Sequence, residues 1–127
     1  MAEAGLIYHT DWTHDDQPVP IRVKSGKLIS VSYSVELNDH FIFTNHYDGD
    51  YFLQTCKDQF DQLYEEGKES GRVICIPLHS FLIGQPHRIR YLEDSLGYIM
   101  AMQGVWVATG SEITDWYMVH YRKNEVK

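Results

Sequence analysis

From residue 51 onward the sequence alternates strictly between helix-period segments and short apolar runs, which limits the folds open to it. In residues 51–66, Phe52, Leu53, Cys56, Phe60, Leu63 and Tyr64 recur at helical spacing. Asp50 is the expected N-cap, and Gly67 or Gly71 the stop. Arg72 to His79 follows, with Val73, Ile74, Cys75 and Ile76 consecutive, as in a strand covered on both faces by helices. Residues 87–103 return to helical spacing through Ile89, Leu92, Leu96, Ile99 and Met100, with Pro86 before them and Gly104 after. "GVWVAT" is another short apolar run. "GSEITDWYMVHY" is a third helix, with Ser111 as expected N-cap. Such alternation predicts an α/β fold with helices packed on a parallel sheet.

Upstream the pattern is looser. Leu6 to His9 reads as a short strand and "THDDQPVP" as loop, because prolines and aspartates cluster there. "KLISVSYSVEL" alternates as a strand, with Ile29, Val31, Tyr33 and Val35 on one face and serines on the other. "NDHFIFTNHYDGD" reads as a polar connection with an apolar island at Phe41 to Phe43. With 127 residues, one small domain (1–127) is expected.

Function classes narrow by charge and composition. The formal charge is −7 and basic residues form no stripe, which argues against nucleic acid as a partner. No apolar stretch approaches the ~20 residues of a membrane span, and the N-terminus lacks a signal-peptide pattern, so a cytoplasmic, membrane-free location is expected. Cys56 and Cys75 show no metal-ligand spacing and are expected to be reduced core thiols.

Candidate chemistry gathers where strands of such a sheet should end. His79 closes the apolar run and could act as a general acid or base; it could equally satisfy a loop backbone group. "HTDWTHDDQP" packs His9, Asp11, His14, Asp15 and Asp16 together, which suits metal binding, orientation of a catalytic histidine, or an ordinary Asx-turn loop. "ELNDH" sets Glu36, Asn38 and Asp39 at another strand end, as substrate contacts or a polar turn. Arg88 and Arg90 open a helix, where the macrodipole disfavours cations; an anionic or carbonyl ligand, or pairing with Glu93 or Asp94, would explain them.

Four blocks, "DWTHDDQP", "ELND", "LHSFLIGQPHRIRYLE" and "GVWVATGSEITDWY", in this order and spacing, resemble the C-terminal half of the polysaccharide deacetylase superfamily, in its allantoinase-like branch. The resemblance runs from about Leu6 to Tyr121. It implies part of a distorted (β/α) barrel and hydrolysis of non-peptide C–N bonds, in N-acetyl sugars or ring amides. By resemblance, "IPLHS" matches a leucine-x-histidine motif. His79 would then protonate the leaving nitrogen, and Leu78 would wall the pocket. Trp12 would line a substrate groove. An aspartate of the "DWTHDD" block, Asp11, Asp15 or Asp16, would tune the histidine. Glu36, Asn38, Asp39 and Arg88 remain candidate substrate contacts. The paired aspartates and H-x-x-x-H metal ligands of the family's first half are not in this sequence. No cofactor is identifiable here, and the resemblance leaves a divalent metal open for the complete family enzyme. A half-barrel exposes an edge and an apolar face, so a complementary N-terminal chain or a homo-oligomer is expected as partner, besides a polar small molecule or N-acetyl sugar. A non-catalytic remnant, serving as a small-molecule, sugar or protein-binding module, is the alternative.

Overall fold

The computed structural model describes residues 1–121. It is an α/β structure in which the contacts separate into two compact units, Met1–Tyr33 with the described residues from Val107 on, and Ser34–Trp106.

The first unit holds a mixed sheet of β1 (Tyr8–His9), β2 (Val19–Ile21) and β3 (Leu28–Ser30), in the order β1-β3-β2. β1 runs parallel to β3, with Tyr8 opposite Ile29 and His9 opposite Ser30. β2 is antiparallel to β3, with Pro20 opposite Ile29. The central strand is buried on both faces: Ile29 and Ser30 are fully enclosed, and so are Ser32 and Val31 beyond it. The serine face of this segment is therefore interior too. β2 falls partly in the stretch expected to be loop. Proline is admissible there because β2 is an edge strand, with one row of amides outside the ladder. The helix α4 (Gly110–His120) packs on β1, and Gly110 is required there, since a Cβ would stand 2.5 Å from the Tyr8 ring. Its N-cap is Thr109 rather than Ser111, and Thr109 and Glu112 close a full capping box, which satisfies two end groups reciprocally.

The second unit is helical. It contains α1 (Asp39–Thr44), α2 (Gly49–Glu66) and α3 (Ile89–Met100), with α2 packed along α3. Phe52, Cys56, Phe60 and Leu63 are the buried stripe of α2, as their spacing predicts. Asp48, not Asp50, caps α2 by accepting from the Tyr51 amide at 2.9 Å. The core comprises Leu37, Ile42, Phe43, Phe52, Cys56 and Ile83, with Ile74 and Ile76 laid against it.

Three expectations change. The parallel sheet is a mixed one. The segments 71–79 and 105–109 carry no strand ladder, because an apolar run becomes a strand only with a paired neighbour. Ile74 and Ile76 pack onto the core, and Val73 to Pro77 stay half-buried rather than covered on both faces. The expected connection after Glu36 contains α1, a helix too short for its period to show in sequence. Among the described residues, no helix is long and apolar enough to cross a membrane.

Candidate functional site: a buried carboxylate holding an imidazole

Asn38 and Asp39 occupy the entrance of α1. Asn38 is the N-cap, its side chain accepting from the His40 amide at 2.9 Å. That cap places Asp39 at the first helical position, where its backbone N–H donates to the Pro77 carbonyl at 3.3 Å. The Asp39 side chain is wholly buried. Such a carboxylate needs hydrogen-bond donors, and it has them. Oδ2 accepts from the His79 amide at 2.8 Å and the Ile83 amide at 3.3 Å. Oδ1 lies 2.7 Å from His79 Nδ1.

The other half of the pair sits on a tight turn. The amides of Leu82 and Ile83 both return to the His79 carbonyl. Gly84 completes this turn, because a Cβ there would stand 2.4 Å from the Ser80 carbonyl oxygen. The turn delivers the His79 and Ile83 amides to one carboxylate oxygen and the imidazole to the other. Asp39 therefore fixes the chain at His79 and the orientation of its ring together. A carboxylate on Nδ1 favours the tautomer with the proton there, leaving Nε2 as the nitrogen presented outward. The His79 side chain is 37% exposed, so the ring is held from behind and open in front. His40 and Phe81 flank it, each ring 5.5 Å away between centroids.

The remaining expected residues divide. Leu78 is exposed beside His79. Glu36 is exposed and accepts from Gln59 at 2.7 Å. Arg88 does not offer its guanidinium to an open site. It lies over the Phe43 ring at 4.1 Å, with Nη1 3.5 Å from the Leu82 carbonyl, and so braces the His79 turn. Asp11, Trp12, Asp15 and Asp16 belong to the first unit. Asp11 is exposed and meets buried His9 at 3.4 Å, with Trp12 edge-on to the same ring. Asp15 accepts from the Asp16 amide in a local turn at 2.9 Å. His14 bonds Ser30 at 2.7 Å. The aspartate bonded to His79 is thus Asp39, which the sequence had suggested as a substrate contact. It holds this position because α1 buries it beneath the turn.

Nucleophilic thiol chemistry is disfavoured. Burial pushes Cys56 up to about 11 and also raises Cys75, so both stay protonated near neutral pH. Among the described residues, no three His, Cys, Asp or Glu side chains converge as a metal site requires. The donor set here does not fit a resident divalent metal.

The site thus defines a small α/β protein presenting one imidazole on a buried carboxylate. Comparison places it among known proteins. It is 34% identical over 126 residues to the "Putative polysaccharide deacetylase" of Schizosaccharomyces pombe, covering 89% of this chain and 39% of that one. Its structure matches the probable polysaccharide deacetylase of Pseudomonas aeruginosa PAO1 with a TM-score of 0.87 and 30% identity, over 94% of this chain and 41% of that one. It matches Puue allantoinase with a TM-score of 0.87 and 28% identity, over 94% and 41%. No family model matches the chain. The chain is related to polysaccharide deacetylase and allantoinase-like proteins, and it spans about two-fifths of the length of those it matches.

Proposed function

We propose that this chain carries the general-acid part of a hydrolase of non-peptide C–N bonds, with His79 as the acid and Asp39 as its positioning residue. The observation that carries the proposal is the 2.7 Å contact between buried Asp39 and His79 Nδ1. An amine leaves a tetrahedral intermediate poorly unless it is protonated as the C–N bond breaks. Asp39 on Nδ1 holds the ring and directs Nε2 outward, where it can give a proton to the leaving nitrogen. Cleavage produces a free amine and a carboxylate, and His79 ends the step one proton poorer.

The names of the relatives support two substrate classes, N-acetylated sugars and cyclic ureides. Trp12, 54% exposed, is free to serve as an aromatic substrate contact, whereas the tuning role that the resemblance gave to Asp11, Asp15 or Asp16 passes in this proposal to Asp39. In this proposal the chain is the C-terminal part of a distorted (β/α) barrel. The groups that activate water, and any divalent metal with its ligands, are supplied by protein resembling the rest of the relatives. The half-buried run Val73 to Pro77 supports such completion, by a complementary chain or by a second copy.

The test joins this chain to the unmatched portion of the Schizosaccharomyces relative and assays acetate release from chito-oligosaccharide and ring opening of allantoin. Turnover is expected, and His79→Gln should lower it by roughly 10²–10⁴-fold. Turnover indifferent to His79→Gln would refute the assignment. Saturable oligosaccharide binding without turnover would favour a sugar-binding remnant instead.

A further inference from the structure

Phe81, two residues after His79, is the most exposed aromatic side chain among the described residues, at 63%. A lone exposed phenyl group is ordinary on a protein surface, but two features set this one apart. The first is that its place is fixed. The two residues after it are anchored: both amides return to the His79 carbonyl, Leu82 packs on the core, and Ile83 is buried with its amide also turned to Asp39. The Gln85 side chain donates to the Phe81 carbonyl at 3.1 Å. The second is where the ring stands. It meets the His79 imidazole edge to face, with centroids 5.5 Å apart and planes at 69°. Wholly buried Asp39 closes the Nδ1 side of that imidazole, so a phenyl this exposed belongs to the side that meets solvent. The Arg88 guanidinium is spent on the Phe43 ring and the Leu82 carbonyl and offers no charge there for an anion. Beside the acid, the turn thus holds out an uncharged aromatic surface.

We propose that Phe81 is a specificity-determining residue, the platform on which the leaving group rests, and that it selects a neutral sugar ring over a cyclic ureide. This inference rests on the assignment of His79 as the acid. To be protonated, the leaving nitrogen must come within about 3 Å of Nε2. In an N-acetyl sugar that nitrogen carries a pyranose ring one bond further out, at the remove where Phe81 stands from the imidazole. In a cyclic ureide the ring itself is what opens, so no second ring extends beyond the nitrogen. A pyranose also presents a face of C–H groups, each faintly positive. Such a face packs on the negative face of a phenyl ring as the edge of another aromatic ring does. Phe81 makes and breaks no bond. Its contact fixes where the sugar lies, and with it where the nitrogen meets Nε2.

The test is a titration of the full chain with N-acetylated chito-oligosaccharide, followed through the ring ¹³C signals of Phe81 and the ring ¹⁵N signals of His79. Both sets should shift saturably and with one affinity. Phe81→Ala should weaken that affinity by roughly 3–10-fold. Phe81→Leu should weaken it likewise, because leucine keeps apolar bulk but has no aromatic face, whereas Phe81→Trp should retain it. The exposure of Phe81 lets all three variants fold, which urea denaturation checks. Absence of a saturable shift at Phe81, or wild-type affinity in Phe81→Ala or Phe81→Leu, would overturn the platform. Allantoin that shifts the Phe81 signals as strongly as the oligosaccharide would overturn the selection of a sugar. Failure of the acid assignment looks different: His79→Gln would leave the turnover of the completed enzyme intact, while oligosaccharide binding would still depend on Phe81.

Discussion

Asp39→Ala is expected to lower the unfolding free energy by about 2–5 kcal/mol, read from urea denaturation. The figure follows from what alanine abandons. The His79 and Ile83 amides both lose their acceptor, and each buried, unsatisfied donor costs about 1–3 kcal/mol. The imidazole also loses its anchor, so the turn from His79 to Gly84 loosens as a unit. Asp39→Asn separates stability from chemistry. Its amide oxygen can still accept from the two backbone amides, so most of the stability should survive. Its NH₂ group then faces His79 Nδ1 and can only donate. The ring is forced into the other tautomer, with its proton on Nε2, which would impair the proposed acid function. A variant that folds yet fails in proton transfer is the expected phenotype, the same separation that an amide for a carboxylate produces in a Ser-His-Asp triad.

Phe52→Ala is expected to cost about 3–5 kcal/mol, the range for emptying a buried phenylalanine site. Phe52 is fully enclosed, and its ring stacks with Phe43 at 6.2 Å. The effect should reach the candidate site. Leu37 and Ile42 bracket Asp39 in sequence, Ile83 donates to it, and all three share the core with Phe52. Phe43 in turn carries the Arg88 guanidinium that reaches the His79 turn. Collapse around the vacated space would therefore disturb Asp39 and His79 as well as the helix pair. Denaturation together with loss of the His79 Nδ1 proton signal would display both consequences. A cost below about 1 kcal/mol would mean that the core closes over the space without strain.

How far these features could be read in advance depends on how each announces itself in sequence. α2 was legible because four buried positions repeat at helical spacing over eighteen residues. His79 was legible because an imidazole ending an apolar run has few reasons to be there. α1 was not, since its six residues hardly exceed one turn and lie among asparagines and aspartates. Asp39 was therefore visible only as a polar residue after Glu36. Its role comes from burial, and burial comes from a contact forty residues away in sequence. β2 was hidden because Pro18 and Pro20 argue for loop, and only the edge position of the strand permits proline. The run from Arg72 to His79 shows the converse error: apolar composition predicted a strand, while strand identity depends on a paired neighbour. His40 drew no notice, because its proximity to His79 is purely tertiary.

The most direct test of the central claim is the ¹⁵N spectrum of the His79 ring in the neutral state, recorded for the wild type and Asp39→Asn. The Asp39 contact predicts a proton on Nδ1 in the wild type, with Nε2 unprotonated, and the reverse in Asp39→Asn. A wild-type ring protonated on Nε2, or one whose tautomer is indifferent to Asp39→Asn, would contradict the claim that Asp39 sets His79 for acid catalysis.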